Sequence, residues 1–419
     1  MNLYSNLRQQ FPIFDREINA KPLVYLDSAA TTQKPQVVID SQTNFYSQKN
    51  ASNHGVHFLA NQCSLDIEKA RQTVADFLGC RNDEIVFTAG STNSLNLLAN
   101  SFLFNFLDTN SSLRLTVDSK IIISVAEHHS NILPWQRLAT LIGCKLEYVG
   151  INQSGRVDLE DLELKLKKNI AEVNLVCINH VSNVLGMVNP INVIAQMCHN
   201  YQSMVIVDGT QAISHLEVDT KELNVDFYCF SGHKIYAPTG VGVLYGKYDL
   251  FGQLNNDQVG GEMVNQVELE SNSYKPTPWR FEAGTSNFAS IVGLDCALNW
   301  FTANILQIQK IESDLKQYLY FKLLGVADLT ILGTSDLNFD LNDRIPLFTC
   351  YVDNVNSLDL CMELDFDGIA IRSGQHCTGL LHQHLDIFST WRVSLAPYNT
   401  REDIDFFVDK LQLAIKKLR

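Results

Sequence analysis

The sequence lacks paired cysteines, a surplus of positive charge and an apolar leading segment. Its ten cysteines include no CxxC pair, which disfavours a zinc or iron–sulfur ligand set. Scattered cysteines of this kind are typical of a reducing compartment. Lys and Arg number 32 against 46 Asp and Glu, so we expect no broad binding to nucleic acid or to an anionic membrane. No apolar run follows Met1, so we expect a cytoplasmic protein.

The 419 residues, 46% of them apolar, are enough for a large buried core. Short apolar strands alternate with helical stretches between residues 64 and 250. We predict helices at 64–78, 93–104, 131–142, 158–168 and 191–200, and strands at 84–87, 121–124, 145–149, 174–178, 204–207, 226–230 and 242–245. Such alternation is typical of an α/β fold with a mainly parallel sheet, whose ligands lie beyond the carboxyl ends of the strands.

A second unit follows a loop-rich stretch at 251–285. Helical periodicity returns at 288–324, followed by predicted strands near 329–332, 347–352, 368–372 and 390–394 and a closing helix at 401–417. We therefore predict three parts: an N-terminal segment at 1–20 that packs with the small domain, a large domain at 21–290 and a small α/β C-terminal domain at 291–419.

The most informative motif is Ser231-Gly232-His233-Lys234, which directly follows an apolar strand. An earlier apolar strand ends in Asp208. This pair suits a pyridoxal phosphate site: the lysine would form a Schiff base with the aldehyde, and the aspartate would keep the pyridinium nitrogen protonated. A lone lysine after a strand is most often a surface residue. Here Ser231 and His233 flank it as phosphate donors, which favours a site.

Polar residues follow other predicted strands in the same way. Ser91 and Thr92 lie where a helix begins, and hydroxyls and free backbone N–H groups at such a position bind anions, although an ordinary helix cap looks the same. His128 follows a strand and could stack on a planar cofactor and shuttle protons. Two adjacent histidines alone would suggest a metal, but no third ligand cluster lies nearby. Asn183 and Gln211 are amides suited to hydrogen-bonding the cofactor or the substrate.

Arg372-Ser373-Gly374-Gln375-His376-Cys377 ends a predicted strand in the C-terminal unit. A histidine and arginines near a cysteine lower the pKa of its thiol. Arg392, further along, is suited to binding a substrate carboxylate through two hydrogen bonds. Taken singly, structural salt bridges and a buried thiol would explain these residues as well. The presence of Lys234 favours the catalytic interpretation.

In this order, these motifs resemble the cysteine desulfurases of the class V aminotransferase superfamily, most closely the Suf/Csd-type group. The resemblance covers nearly the whole chain. It includes Tyr25 to Thr32, Glu127 to Asn131, Ser182 to Gly186, Asp208 to Gln211, Ser231 to Lys234, Phe281 to Thr285, Arg372 to Cys377 and Ala396 to Thr400. The sequence departs from the family pattern at Ser91 and Asn93, at Asn53-His54 and at Thr378-Gly379.

The resemblance implies a fold-type I pyridoxal phosphate enzyme with a mainly parallel seven-stranded sheet, working as a homodimer. It implies that Lys234 forms the Schiff base, that Asp208 meets the pyridinium nitrogen, that Gln211 meets the ring oxygen and that His128 is the stacking acid/base. The phosphate would be bound by Ser91, Thr92, Ser231 and His233, and Thr285 would reach the phosphate of the neighbouring subunit. The residues around the substrate would be Asn183, Arg372, Arg392 and His57. Cys377 would attack the substrate's sulfur.

The implied reaction converts L-cysteine to L-alanine and leaves a persulfide on Cys377. The sulfur would pass to a SufE/CsdE-like acceptor protein for iron–sulfur cluster assembly or another sulfur pathway. Two alternatives remain open at this stage. One is a selenocysteine lyase acting on L-selenocysteine, and the other is a catalytically silent scaffold of the same fold. No metal is expected, and neither is binding to a membrane or to nucleic acid.

Overall fold

The computed structural model describes residues 5–53, 55–168, 173–334, 336 and 339–419. The helices are α1 (Ser5–Arg8), α2 (Gln36–Asn44), α3 (Phe58–Leu78), α4 (Ser91–Leu107), α5 (Leu133–Ile142), α6 (Leu159–Leu166), α7 (Ile191–Asn200), α8 (Thr220–Leu223), α9 (Tyr248–Gln253), α10 (Phe288–Leu324), α11 (Ser357–Asp365), α12 (Gly379–His384) and α13 (Arg401–Leu418). The strands are β1 (Glu17–Ile18), β2 (Lys21–Pro22), β3 (Val24–Tyr25), β4 (Ile85–Thr88), β5 (Lys120–Ser124), β6 (Lys145–Val149), β7 (Asn174–Asn179), β8 (Ser203–Asp208), β9 (Phe227–Ser231), β10 (Gly242–Gly246), β11 (Val264–Val267), β12 (Asn272–Tyr274), β13 (Leu329–Ile331), β14 (Leu347–Val352), β15 (Ile369–Ala370), β16 (Arg372–Gly374) and β17 (Thr390–Ser394).

The large sheet has seven strands in the order β4-β10-β9-β8-β7-β5-β6. Strands β6, β5, β7, β8 and β9 are parallel neighbours, whereas β10 is antiparallel to both β9 and β4. The predicted α/β fold with a mainly parallel seven-stranded sheet is therefore confirmed. Every residue of β7 is buried, as its continuous apolar run predicts for a strand covered on both faces.

Parallel pairing brings the ends of neighbouring strands to one edge of the sheet. Asn179, the last residue of β7, pairs in register with Asp208, the last residue of β8. Asp208 in turn lies opposite Cys229 of β9, two residues before Ser231. Helix α4 starts at Ser91, just after β4, so its first N–H groups reach the same edge. This edge is where the predicted site residues gather.

The C-terminal sheet contains four antiparallel strands in the order β13-β14-β17-β16. The predicted continuous strand at 368–372 is wrong, because the chain divides it between two sheets. Strand β15 pairs in parallel with β3 near the N-terminus, and β16 pairs with β17. This division places Arg372 of β16 directly opposite Arg392 of β17. The segment that follows β16 carries Cys377.

Helix α10 runs across the predicted boundary between residues 290 and 291 and is buried at positions from Phe288 to Leu323. Arg8 of α1 forms a salt bridge of 2.8 Å with Asp403 of α13. The predicted division of the chain into three parts stays a prediction. Among the described residues, α10 is the one helix long and apolar enough to cross a membrane, and 56% of that stretch is buried inside the protein, as in a core helix.

Candidate functional site

A cavity of about 240 Å³ opens at the carboxyl edge of the large sheet, where the C-terminal sheet meets it. The predicted site residues that line it are Ser91, Thr92, His128, Asn183, Asp208, Gln211, Ser231, His233, Lys234, Arg372, Cys377 and Arg392. They come from both parts of the chain. Lys234 and Cys377, 143 positions apart in sequence by subtraction, therefore face one space.

Lys234 ends a 3-10 turn, Gly232–Lys234, that directly follows β9. Its Nζ donates to the carbonyl oxygen of Ala30 at 2.8 Å and to that of Ala29. Burial lowers the pKa of this amine to about 7, and repulsion from Arg392 contributes. A lysine amine that is partly neutral near pH 7 is a competent nucleophile towards an aldehyde.

Asp208 is 7% exposed, and one of its carboxylate oxygens, Oδ1, accepts a bond of 3.0 Å from the Thr210 backbone N–H. This bond fixes the carboxylate at the end of β8. The neighbouring amide of Gln211 donates from Nε2 to the carbonyl oxygen of Ala29 at 2.9 Å. The two side chains thus occupy one wall of the cavity, close to the segment that also receives the Lys234 amine.

Hydroxyl groups and N–H groups converge where α4 begins. The Oγ of Ser231 accepts from the Ser91 N–H at 2.8 Å and lies 2.9 Å from the Ser91 Oγ. The Thr92 Oγ1 lies 2.7 Å from the Ser130 Oγ. Gly90 has φ 150°, a conformation that L side chains rarely adopt, and a Cβ there would come within 3.2 Å of the Ser231 Oγ. Such donors at a helix N-terminus fit a phosphate.

The two histidines after β5 have different surroundings. His128 lines the cavity, and its Nδ1 accepts from the Ser130 N–H at 3.1 Å. Burial lowers the pKa of His128, which favours the neutral ring. The His129 N–H instead donates to the carbonyl oxygen of Cys377 at 2.8 Å, and its Nε2 accepts from the Gly379 N–H at 3.1 Å. His128 therefore faces the cavity while His129 holds the cysteine segment.

Cys377 is exposed, whereas the other nine cysteines are buried or half-buried. It lies in a turn in which two successive non-glycine residues are left-handed, His376 with φ 51° and Cys377 with φ 59°. The Asn183 Nδ2 donates to the carbonyl oxygen of His376 at 2.8 Å. Together with the His129 bond, this contact anchors the turn through its backbone and leaves the thiol free.

Arg392 is buried in β17 and has one carboxylate partner, Asp27, at 3.1 Å. Its Nη1 donates to the carbonyl oxygen of Asn183 at 2.8 Å, and its Nε has no hydrogen-bond partner among the residues that the structure describes. Burial lowers the pKa of Arg392 and raises the pKa of Asp27. The guanidinium retains donor capacity for a further carboxylate, and exposed Arg372 lies opposite it.

Two predicted site residues do not line this cavity. His57 is the exposed N-cap of α3, where its Nδ1 accepts from the Ala60 N–H at 3.3 Å. Thr285 is exposed in the segment before α10. The role predicted for Thr285 involves a second subunit, and His57 does not line the cavity. Both assignments therefore stay predictions. His54, where the sequence departs from the family pattern, lies outside the described residues.

The cavity also has walls that were not predicted from the sequence. They are formed by Ala29, Ala30, Ser130, Asn179, Val181, Thr210 and His376. Several of these lie next to a predicted residue, and His376 belongs to the motif that carries Cys377; the residue types of the others gave no signal. In the described part of the chain, no three His, Cys, Asp or Glu side chains converge as metal ligands.

The donor set as a whole fits pyridoxal phosphate. A buried amine, a buried carboxylate and a cradle of hydroxyls and helix N–H groups lie around one cavity. These groups correspond to the aldehyde, the ring nitrogen and the phosphate of that cofactor.

Comparison with known proteins agrees with this chemistry. The model of the family "Aminotransferase class-V" matches residues 24–407. A protein of Yersinia pseudotuberculosis named "Cysteine desulfurase" is 40% identical over 416 residues, covering 98% of each chain. A protein of Halalkalibacterium halodurans named "Probable cysteine desulfurase" is 38% identical over 410 residues, covering 97% of this chain and 96% of the relative.

Solved structures show the same fold. The apo structure of the cysteine desulfurase from Thermococcus onnurineus superposes with a TM-score of 0.90 at 31% identity, covering 100% of this chain and 99% of that one. The cysteine desulfurase CsdA of Escherichia coli, in an S-sulfonic acid form, superposes with a TM-score of 0.86 at 33% identity over 100% of both chains. The chain therefore belongs to the class-V aminotransferase family and, within it, to the cysteine desulfurases.

Proposed function

We propose that the protein converts L-cysteine to L-alanine and receives the sulfur on Cys377 as a persulfide. The observation that carries this proposal is the shared cavity, in which the buried amine of Lys234 and the exposed thiol of Cys377 face one space. A nucleophilic amine alone would suit many pyridoxal phosphate reactions. The thiol that lines the same cavity favours a reaction in which sulfur leaves the substrate.

The family's cofactor is pyridoxal phosphate, and the chain offers groups for each part of it. When bound, it supplies an electron-withdrawing ring that stabilises negative charge at the substrate's α-carbon. We assign Lys234 to its aldehyde, Asp208 to its ring nitrogen, Gln211 to its ring oxygen and His128 to its ring face. The phosphate would be held by Ser91, Thr92, Ser231 and His233, and by Thr285 of a second copy.

Lys234 is assigned the proton transfers. Because burial and Arg392 bring the pKa of its amine to about 7, Nζ can accept the substrate's α-proton and release it again near neutral pH. The carboxylate of Asp208, fixed by the Thr210 N–H, holds the proton of the ring nitrogen. His128, whose lowered pKa favours the neutral form, would also be able to pass protons beside the bound ring.

Arg392 is assigned to the substrate carboxylate, with Asn183 and Arg372 beside it and His57 as an outer contact. A buried guanidinium forms stronger hydrogen bonds to a carboxylate than an exposed one, because water competes less. Asp27 and the carbonyl oxygen of Asn183 hold the guanidinium in place from one side. This arrangement orients the substrate's side chain within the cavity that Cys377 also lines.

Cys377 performs the sulfur transfer. Its thiolate attacks the substrate's sulfur, an S–S bond forms, and the bond between the substrate's β-carbon and its sulfur breaks. The bonding electron pair stays with the carbon skeleton, which takes up protons and leaves as alanine. The outer sulfur then passes to the thiol of an acceptor protein of the SufE/CsdE-like type, and the exposure of Cys377 supports this step.

We further propose that the protein works as a homodimer in the cytoplasm and supplies iron–sulfur cluster assembly or another sulfur pathway. Large apolar side chains on the surface support an interface with a second copy. Val56 is 98% exposed and Leu269 fully so, and Phe58 is 72% exposed. An exposed Thr285 is also consistent with a contact across that interface.

Replacing Cys377 with serine tests the proposal. The variant should keep the visible absorbance of the bound cofactor, but it should release no sulfide and form no alanine from L-cysteine. Full turnover by the variant would refute the role of Cys377. Because selenium can leave without attack by a thiol, activity of the variant on L-selenocysteine but not on L-cysteine would show that Cys377 alone does not separate a desulfurase from a selenocysteine lyase.

Lys234→Ala provides the second arm of the test. It should abolish the cofactor adduct that borohydride traps on the wild-type chain, and a surviving adduct would show that another lysine is used. A wild-type preparation that cannot bind pyridoxal phosphate would instead identify a catalytically silent scaffold.

A further inference from the structure

Glu127 is a fully buried carboxyl group next to His128, and none of the roles above uses it. Its Oε2 accepts from the Asn131 Nδ2 at 2.7 Å. Its Oε1 accepts from the Asn179 backbone N–H at 2.8 Å and from the Asn179 Nδ2 at 2.6 Å. The carboxyl group therefore connects the turn after β5 with the last residue of β7.

The directions of these bonds are fixed by further contacts. The Oδ1 of Asn131 accepts from the Trp135 Nε1 at 2.9 Å, so the amide nitrogen of Asn131 must face Glu127. The Nδ2 of Asn179 also donates to the carbonyl oxygen of Ala126 at 3.2 Å, which orients that amide too. Glu127 thus receives donors and donates to none of them, as an ionised carboxylate does. Burial raises the pKa of Glu127 to about 8 even with these three donated bonds, whereas the geometry, in which both carboxyl oxygens accept, is that of the anion.

The turn at 127–131 faces both halves of the site. It carries His128 into the cavity, and through His129 it donates to the carbonyl oxygen of Cys377 and accepts from the N–H of Gly379. The bond between Glu127 and Asn131 closes this turn. The bonds to Asn179 tie it to a residue that is paired in register with Asp208.

From these contacts we propose that Glu127 is a positioning residue, whose carboxylate fixes the 127–131 turn to the sheet edge and so sets His128 and the Cys377 turn relative to each other. The inference rests on the proposed function, in which His128 serves the cofactor and Cys377 serves the sulfur. Glu127 itself touches neither of them as a reactant. Its effect is to keep the cofactor side and the thiol side at one fixed spacing.

Glu127→Gln tests the inference, because the side chain keeps its shape while one of its two acceptor oxygens is replaced by a donor nitrogen. The new Nε2 would meet the Asn131 Nδ2, and turning the Asn131 amide would break its bond with Trp135. Two readouts are measured. The first is cofactor binding, as the dissociation constant of pyridoxal phosphate and the visible circular dichroism of each bound molecule. The second is the rate at which iodoacetamide alkylates Cys377 in the apo-protein. We expect roughly tenfold weaker binding, an altered dichroism and a changed alkylation rate.

A second substitution supplies the rescue. In Glu127→Gln/Asn131→Asp, the glutamine amide can donate to the new carboxylate, whose other oxygen still accepts from Trp135. This double variant should recover both readouts, whereas Asn131→Asp alone places two carboxyl groups against each other and should disturb both. If Glu127→Gln does not fold, the comparison between Asn131→Asp and the double variant carries the test.

Asp226→Asn is the matched control. Asp226 is a buried carboxyl just before β9 that accepts from His199, Lys247 and the Val205 N–H, and it does not line the cavity. Its substitution should lower the thermal midpoint but leave both readouts unchanged. The inference is overturned if Glu127→Gln matches the wild type, if only one readout changes, or if the double variant recovers neither. Failure of the proposed function is a different result: the wild-type protein would then form no alanine from L-cysteine.

Discussion

Gly209→Ala tests whether the backbone beyond β8 can tolerate any side chain. A Cβ at this position would lie 2.0 Å from the Cζ of Tyr228 and 2.1 Å from its hydroxyl oxygen. Tyr228 is fully buried, and its hydroxyl group lies 3.0 Å from the Nδ1 of His180. Since ordinary carbon contacts lie at about 3.5–4.0 Å, the ring must move by more than an ångström and cannot keep that hydrogen bond.

The expected cost has two parts. Overpacking of a filled core costs about 1–3 kcal/mol, and a buried polar group left without its partner costs about 1–3 kcal/mol more. Together they predict a loss of roughly 2–6 kcal/mol. Because Gly209 follows Asp208, the displacement should also weaken the binding of pyridoxal phosphate.

The assay compares thermal midpoints of the apo-proteins by far-ultraviolet circular dichroism, together with titration of the cofactor. Midpoints are compared because a chain of this size need not unfold in two states. Gly252→Ala in helix α9 is the control. A Cβ there meets no described residue within 4 Å, so we expect the free energy of unfolding to rise by about 0.5–1 kcal/mol. A Gly209→Ala protein with the wild-type midpoint and cofactor affinity would refute the packing argument.

Two further predictions concern buried ionisable side chains. Arg392→Lys should raise the KM for cysteine about 10- to 100-fold, because an ammonium cannot replace the guanidinium's paired donors. Asp27→Asn, which keeps the guanidinium, should raise the KM less. Equal increases in KM for the two variants would contradict the assignment of Arg392. Burial lowers the pKa of His180 from 6.5 to about 4, so below about pH 6.5 the unfolded chain binds a proton that the native state does not. The contribution of His180 to the free energy of unfolding should therefore be fully present above pH 6.5 and should fall by about 3 kcal/mol as the pH drops to 4. If the thermal midpoint of His180→Gln falls with pH as much as that of the wild type, this prediction is contradicted.

The site could be predicted from the sequence where a buried strand ends in a polar residue. Asp208 and Lys234 each follow an uninterrupted apolar run, and the parallel pairing of such runs brings their ends together. Arg392 was singled out as a guanidinium suited to a substrate carboxylate, although it lies within its strand. Strands that can pair with more than one sheet were harder to predict. Part of the stretch 368–372 pairs with β3 and part with β17, and this depends on tertiary pairing that no local pattern encodes.

Supporting contacts were not predictable, because they join residues far apart in the chain. The carboxyl of Glu127 meets Asn179, 52 positions away. His129 meets Cys377 from a different part of the fold, and its sequence position beside His128 gave no hint of that contact. Residue type and spacing identify groups that react. The side chains that hold those groups in place are identified only by the folded geometry.

The left-handed turn at His376 and Cys377 is a strained conformation of the segment that carries the thiol. Each non-glycine residue in that conformation carries about 1–2 kcal/mol of steric energy, and here two are adjacent. The donated bonds from Asn183 and His129 offset this energy while the turn is seated. Losing either bond would leave that strain uncompensated, so the position of the Cys377 thiol depends on two contacts from outside its own segment.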